Sequence, residues 1–268
     1  MSGRGEANRQ KEVDSPFDVV RHDAGTGILA RLKLRAFAQS HNFHFLRRIQ
    51  WQLIERYLKP GKGEKILDVA SGNGFYSEKM AKRGATVTGI DMDPVRIEHA
   101  NTFHNAHGVV YDLGKAEDLP YPDASFDKVV SVCALEHFND PQKAVTEMGR
   151  VLKPGGTLVL DVDSFSYREI DEAVRERHRK NYFVNNYFTH ESLGKIHQKA
   201  GLRIVEHCYS FYSKQAHKMY LWSEERGHTG WAFLLMFPVG YLMCKLGDKL
   251  SKTKHEGYDL YTKAVKPL

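Results

Sequence analysis

The spacing of apolar residues divides the chain into a polar beginning, a long middle of short apolar runs alternating with amphipathic segments, and an insertion of different character near the end. Residues 1–15 carry charge and small polar groups and read as a disordered tail. From about Ile28 to Leu58 the pattern is helical. Leu46, Ile49, Leu53 and Leu58 recur among many basic residues until Pro60, Gly61 and Gly63 stop the run, so 16–64 reads as an N-terminal helical arm or lid.

A strand–helix alternation follows. KILDVA (65–70) is a short apolar run of the kind buried on both faces of a sheet, and the turn SGNG (71–74) leads into a helix over about 75–83. ATVTGID (85–91) is β-branched and strand-like. Asp93-Pro94 supplies a cap and a first-turn proline for a helix to about His107. GVVYDL and FDKVVSVCA (126–134) read as strands, Asp140-Pro141 repeats the cap signal for a helix to Leu152, and the turn KPGG (153–156) precedes the strand TLVLDV. An Arg-rich helix is predicted over 167–180 and another from the cap Thr189 to near Gly201. LRIVEHCYSFY (202–212) and GYDLYTKAV (257–265) complete seven strands. This alternation predicts a parallel, doubly wound α/β sheet with helices on both faces. The core is 65–212 with 256–268, and 213–255 is a helical insertion longer than a hairpin needs.

Composition changes this picture little. The chain has 268 residues, 41% hydrophobic and 27% charged, with a net charge of +6 that suits an anionic ligand, a membrane surface or nucleic acid equally. Three distant cysteines, Cys133, Cys208 and Cys244, form neither a disulfide framework nor a metal spacing. With no signal-like apolar core at the start, a cytoplasmic location is the expectation.

The chemistry concentrates at the first crossover. Asp68 ends a strand, Gly72 and Gly74 let backbone approach a ligand, and a helix starts directly afterwards, as at sites for a carboxylate or phosphate. Asp91, at the tip of the next strand, is placed to accept both hydroxyls of a ribose. A dinucleotide fingerprint is incomplete, because Ser77 stands where its third glycine belongs. S-adenosylmethionine (SAM) presents an ammonium that Asp68 suits.

ILDVASGNGFYSEKMAKRGATVTGIDMDP resembles the first two motifs of class I SAM-dependent methyltransferases, and AEDLPYPDASFDKVVSVCALEHFNDPQKAVTEMGRVLKPGG resembles the segment that follows in the branch containing ubiquinone and menaquinone methyltransferases. The resemblance implies a Rossmann-like sheet of seven strands, mostly parallel with an antiparallel last strand. It also implies that Asp68, Ala70, Gly72 and Gly74 line the methionine and ribose end of SAM, that Asp91 holds the ribose and that Met92 packs on adenine. Ala116 and Glu117 would flank the adenine edge and Cys133 would lie near the donor. Two positions depart from the pattern. Ala70 stands where glycine is frequent, and Lys115 where an aspartate commonly meets the adenine amino group, so Glu117 or backbone must accept that bond.

Methyl transfer asks the protein to align a nucleophile, exclude water and remove a proton. His137 in ALEHF is the expected base, with a structural turn contact as its alternative reading. Glu136-His137 also resembles the end of a metal-assisted E-x-x-E-H pattern, but Cys133 occupies its first acidic position and no metal is expected. The segment lacks an Asn/Asp-Pro-Pro-Tyr motif, which speaks against nucleic-acid bases. A small or lipid-like acceptor methylated on oxygen or carbon is the leading reading; an RNA or protein acceptor, or SAM binding without turnover, is the alternative.

Acceptor contacts are expected from the added segments. These are the arm with His41, Phe43, His44, Phe45 and Trp51, then Tyr76, and then NYFVNNYF (181–188) with Tyr182, Phe183, Tyr187 and Phe188. WAFLLMFPVGYLMC (231–244) is too short to span a bilayer and is interrupted by Pro238 and Gly240. It reads as a buried lid, a homodimer helix, or an element on a membrane, with Lys245, Lys249, Lys252 and Lys254 meeting anionic head groups.

Overall fold

The structure is a computed structural model that describes residues 45–167, 170–225, 231–251 and 255–268. The tail 1–15, the arm up to His44 with His41 and Phe43, the side chain of Phe45, and Lys252 and Lys254 lie outside the described residues.

Seven described strands form one sheet: β1 Lys65–Val69, β2 Thr86–Asp91, β3 Val110–Leu113, β4 Phe126–Val132, β5 Leu152–Asp163, β6 Arg203–Ser210 and β7 Asp259–Val265, in the order β3-β2-β1-β4-β5-β7-β6. The first five run parallel, and β7 inserts antiparallel between β5 and β6. The helices are α1 Phe45–Leu58, α2 Phe75–Ala81, α3 Pro94–Phe103, α4 Pro141–Val151, α5 Glu172–Tyr182, α6 His190–Lys199, α7 Lys214–Glu225 and α8 Trp231–Leu250.

Local chemistry explains most boundaries. Asp93 and Asp140 cap α3 and α4 through their carboxylates, each followed by proline in the first turn, and Thr189 opens α6 with a reciprocal capping box closed by Ser192. One face of the sheet buries Leu67, Val129, Leu158 and Leu160 against α4 and α6; the other buries Ile66, Val130, Val159 and Tyr261 against α1 and α2. Alternation along each strand therefore decides which polar residue shares which face.

Four expectations need correction. The α3 helix ends at Phe103 rather than His107, and the Arg-rich helix starts at Glu172, where Asp171 caps it. KPGG is not a separate turn before β5. It bulges within that strand, between Leu152, which pairs with Phe126, and Thr157, which pairs with Lys128, with Gly155 left-handed. Pro238 does not interrupt the apolar run either: α8 continues through it for 20 residues. An internal proline costs about 3 kcal/mol, and the packing of α8 on α7 and α1 offsets this. Asp248 fastens the same helix to the end of β6 by accepting from the Phe211 and Ser213 amides at 2.8 and 2.9 Å.

Candidate active site

At the carboxyl end of β1 the chain turns through Ala70, Gly72 and Gly74, all left-handed, with φ of 58°, 55° and 85°. Ala70 pays steric strain there of roughly 1–2 kcal/mol, which the surrounding bonds must outweigh. The Ser71 amide donates to the Ile90 carbonyl and the Gly74 amide to the Ser71 carbonyl, both at 3.0 Å. Asp91 locks the turn from β2. One carboxylate oxygen accepts from the Gly72 amide at 2.8 Å and the other from the Asp93 amide at 2.9 Å. Glycine is required at 74 because a Cβ would collide with the Tyr111 ring, whereas at Gly72 the nearest neighbour is the tip of Arg96 at 3.9 Å, leaving backbone open to a ligand.

Asp68 is buried and accepts a 2.5 Å bond from the Ser77 hydroxyl. Burial pushes its carboxyl up to about 7, the Asp91 charge adds to this, and the Ser77 bond opposes it. Ser77, which spoils the dinucleotide fingerprint, thus has a specific task here. Met92 follows Asp91 and is 67% exposed, and Leu113, in register with Asp91 on β3, is exposed too. Two large apolar side chains offered to solvent beside a buried carboxylate suit a flat purine. Ala116 is buried nearby in sequence, Glu117 half-buried and Lys115 exposed.

Beyond β4 the arrangement differs. Cys133 is left-handed, its amide donates to the Asp161 carbonyl, and its thiol lies 3.5 Å from the Asp161 carboxylate and accepts from Gln50 Nε2 at 3.0 Å. Burial, then Asp161 and Glu136, hold that thiol well above its usual range. The buried Tyr76 donates to Gln50 Oε1 at 2.8 Å, so α1 bridges the two sides of the crevice. In the turn Leu135–His137, His137 is exposed, with Nδ1 3.3 Å from the Phe183 carbonyl and Nε2 3.9 Å from Glu136. Desolvation lowers its imidazole below the ordinary histidine range.

The segment 181–188 is stitched to this turn. The amides of Asn185 and Asn186 donate to the Glu136 carbonyl, and Asn185 Nδ2 donates to the His137 carbonyl at 2.8 Å. Tyr182 and Phe183 are exposed, and Phe188 joins the main core. Tyr187 packs its ring on Phe165 and donates its hydroxyl to the Arg175 carbonyl at 3.2 Å. The structure thus brings Asp68, Ala70, Gly72, Gly74, Asp91 and Met92 around one turn, and Cys133, His137, Tyr182 and Phe183 around the next sheet edge. Gln50, Asp161, Leu113 and Asn185 escaped the sequence reading. Only Asp161 left a trace, as a charge inside the apolar strand TLVLDV.

Residues 67–160 match the model of a family described as a methyltransferase domain. Together with the sheet order and the glycine turn, this likens the segment to class I, SAM-dependent methyltransferase domains. A demethylmenaquinone methyltransferase from Tropheryma whipplei is 33% identical over 151 residues, covering 54% of this chain and 62% of that protein. A ubiquinone biosynthesis O-methyltransferase from Xanthomonas axonopodis pv. citri is 37% identical over 120 residues, covering 44% and 50%. The chain therefore spans half to two thirds of the length of these relatives. Among solved structures, phosphoethanolamine N-methyltransferase 2 from Haemonchus contortus, in complex with S-adenosyl-L-methionine, shares the fold at a TM-score of 0.58 and 20% identity, with 81% of this chain and 52% of that chain covered.

Proposed function

We propose that this protein transfers the methyl group of SAM to an oxygen or carbon of a small, quinone-like or lipid-like acceptor. The observation that carries the reading is the turn held open at Gly72 by the Asp91 carboxylate, with Met92 and Leu113 exposed beside it. SAM would be held by Asp68, Ala70, Gly72, Gly74 and Asp91, with Met92, Ala116 and Glu117 at the adenine and Cys133 near the reacting end. When bound it supplies an electrophilic methyl on a sulfonium. The chain supplies alignment and water exclusion, worth about 7–11 kcal/mol in favourable cases. Tyr76 and Gln50 roof the crevice from α2 and α1, while Tyr182 and Phe183 offer exposed rings at the acceptor side. The names of two relatives, a demethylmenaquinone methyltransferase and a ubiquinone biosynthesis O-methyltransferase, support a quinone-like acceptor over RNA or protein. The test is a screen with radiolabelled SAM against phenolic and quinol precursors and a lipid extract. Label is expected in the organic phase; label confined to RNA or protein contradicts the proposal.

A second reading concerns α8. Val239, Leu242, Met243, Leu246 and Leu250 are exposed at helical spacing on one face, while Gly240 and Cys244 are buried on the other. Lys245 and Lys249 flank this stripe and are exposed. Among the described residues no helix is long and apolar enough to cross a membrane. An apolar stripe with lysines beside it fits the surface of an anionic bilayer, where a lipid-like acceptor would reside. Co-sedimentation with anionic liposomes is expected, and Leu242→Asp with Leu246→Asp should abolish it. Unchanged sedimentation of the double variant, or a stripe buried in a homodimer, contradicts the membrane contact.

A further inference from the structure

Glu136 and Asp161 are 1% and 0% exposed. Their carboxyls find few donors: backbone groups of Glu136 and Asp163 act on the first, and the Tyr261 hydroxyl and the Cys133 thiol, at 3.5 Å, on the second. Two carboxyls buried together without a cation or a full set of donors cost folding free energy, and such groups are retained where they act on a ligand.

Their place in the sheet says which ligand. Asp68 is level with Val130 across β1 and β4, and Val132 is level with Asp161 across β4 and β5. Val130 and Val132 share one face, so Asp161 stands on the same face as Asp68. It lies two strands away, about 10 Å, and further toward the carboxyl edge. Between them come Cys133, Gln50 and Tyr76, joined by the bonds described above. Glu136 reaches this spot from the turn after β4. Both carboxyls are therefore buried beside the Cys133–Gln50–Tyr76 link, beyond the donor turn toward the carboxyl edge of the sheet.

We infer that Glu136 and Asp161 form a carboxyl pair that faces the transferring methyl and takes the proton released by the acceptor. This rests on the donor-site reading above. In the step, a lone pair of the acceptor oxygen (or the electron pair of its C–H bond) forms the new bond to the methyl carbon. The S–CH₃ bond breaks with its electrons going to sulfur, which becomes a neutral thioether, and the acceptor's proton passes to one carboxylate. The pair is suited to this because only one member needs to be ionised. Burial raises both groups well above the usual carboxylate range, reinforced at Glu136 by Asp161 and Asp259 and at Asp161 by Asp259 and Asp163. The titratable groups facing the pair are Cys133 and His137 from its own segment, Asp163 from β5, Asp259 and Tyr261 from β7, and Tyr76 from α2, on which Arg47 acts from α1. His137, with one ring nitrogen on the Phe183 carbonyl and the other 3.9 Å from Glu136, is then a positioning residue beside the pair.

The test uses two donor analogues and needs no acceptor. S-adenosylhomocysteine is uncharged at sulfur, whereas sinefungin carries an ammonium where the methyl sulfonium would be. Calorimetric titration of the full chain should show sinefungin binding about tenfold or more tighter than S-adenosylhomocysteine at pH 8, with the preference shrinking as the pH is lowered and the pair takes up protons. Glu136→Gln and Asp161→Asn should each remove most of that preference and its pH dependence, while S-adenosylhomocysteine affinity stays within about threefold. His137→Ala should retain the preference. Both amide variants replace a buried acid with a neutral isostere, so they should fold at least as well as the parent, and melting curves verify this. A preference that is absent in the parent, or that survives in both folded variants, overturns the inference. Failure of S-adenosylhomocysteine to bind the parent overturns the donor-site reading itself and this inference with it.

Discussion

The two halves of the crevice are built on opposite principles. On the donor side, from β1 to β2, each polar group named has a local partner: Asp68 has Ser77, and Asp91 has the Gly72 and Asp93 amides. On the acceptor side, from β4 to β5, Glu136 and Asp161 are buried carboxyls held above their ordinary range. On the proposal above, the first half is a pre-formed cradle for SAM, and the second holds groups that act on the acceptor. Function in such a fold resides in the site rather than in the scaffold.

The largest expected effect strikes the cradle. Asp91→Ala removes the acceptor of two backbone amides together with the ribose acceptors, and should weaken SAM binding by about 2–4 kcal/mol, roughly 30- to 1,000-fold. Asp91→Asn, which keeps one acceptor oxygen, should lose less. Titration calorimetry measures both, and an unchanged affinity for Asp91→Ala removes this residue from the site.

The next effect separates the halves by pH. Burial pushes the Asp68 carboxyl up to about 7 in the fold, well above the ordinary carboxylate range. The native state therefore holds a proton that the unfolded chain releases, so stability is greatest below pH 4 on this account and declines as pH rises to about 7. Asp68→Asn keeps an acceptor for Ser77 and should flatten the melting-temperature profile between pH 5 and 8 by on the order of 2–4 kcal/mol. Glu136 and Asp161 are raised in the same direction, so a residual slope should persist in Asp68→Asn and shrink further when Glu136→Gln and Asp161→Asn are added. A flat profile in the parent contradicts both assignments.

The smallest effect is a control inside the cradle. Tyr111 donates to the His104 carbonyl at 3.0 Å behind Gly74. Tyr111→Phe should cost about 1 kcal/mol of stability with an unaltered pH slope, as read by denaturant unfolding. A changed slope would mean that the two halves are not electrically separate.

Much of the cradle was legible in the chain because its devices are local. Capping pairs such as Asp93-Pro94, the Asp68–Gly72–Gly74 spacing and the β-branched run ending at Asp91 are neighbours in sequence as well as in space. The acceptor side was not, because its contacts join elements far apart: Gln50 to Cys133, Asn185 to Glu136, Asp161 to Cys133. His137 drew attention by its chemistry, whereas Glu136 beside it, in the same ALEHF, revealed its burial only in the fold. Pro238 and KPGG misled for a related reason. Local rules assign a break to each, and tertiary packing carried the helix and the strand through them.

The account stands on the crevice between Asp68, Gly74 and Asp91 recognising SAM. The most direct measurement is parallel calorimetric titration of the purified chain with SAM and with NAD⁺. One SAM bound per chain and no heat from NAD⁺ is the predicted result; binding of NAD⁺ without SAM, or of neither, would contradict it.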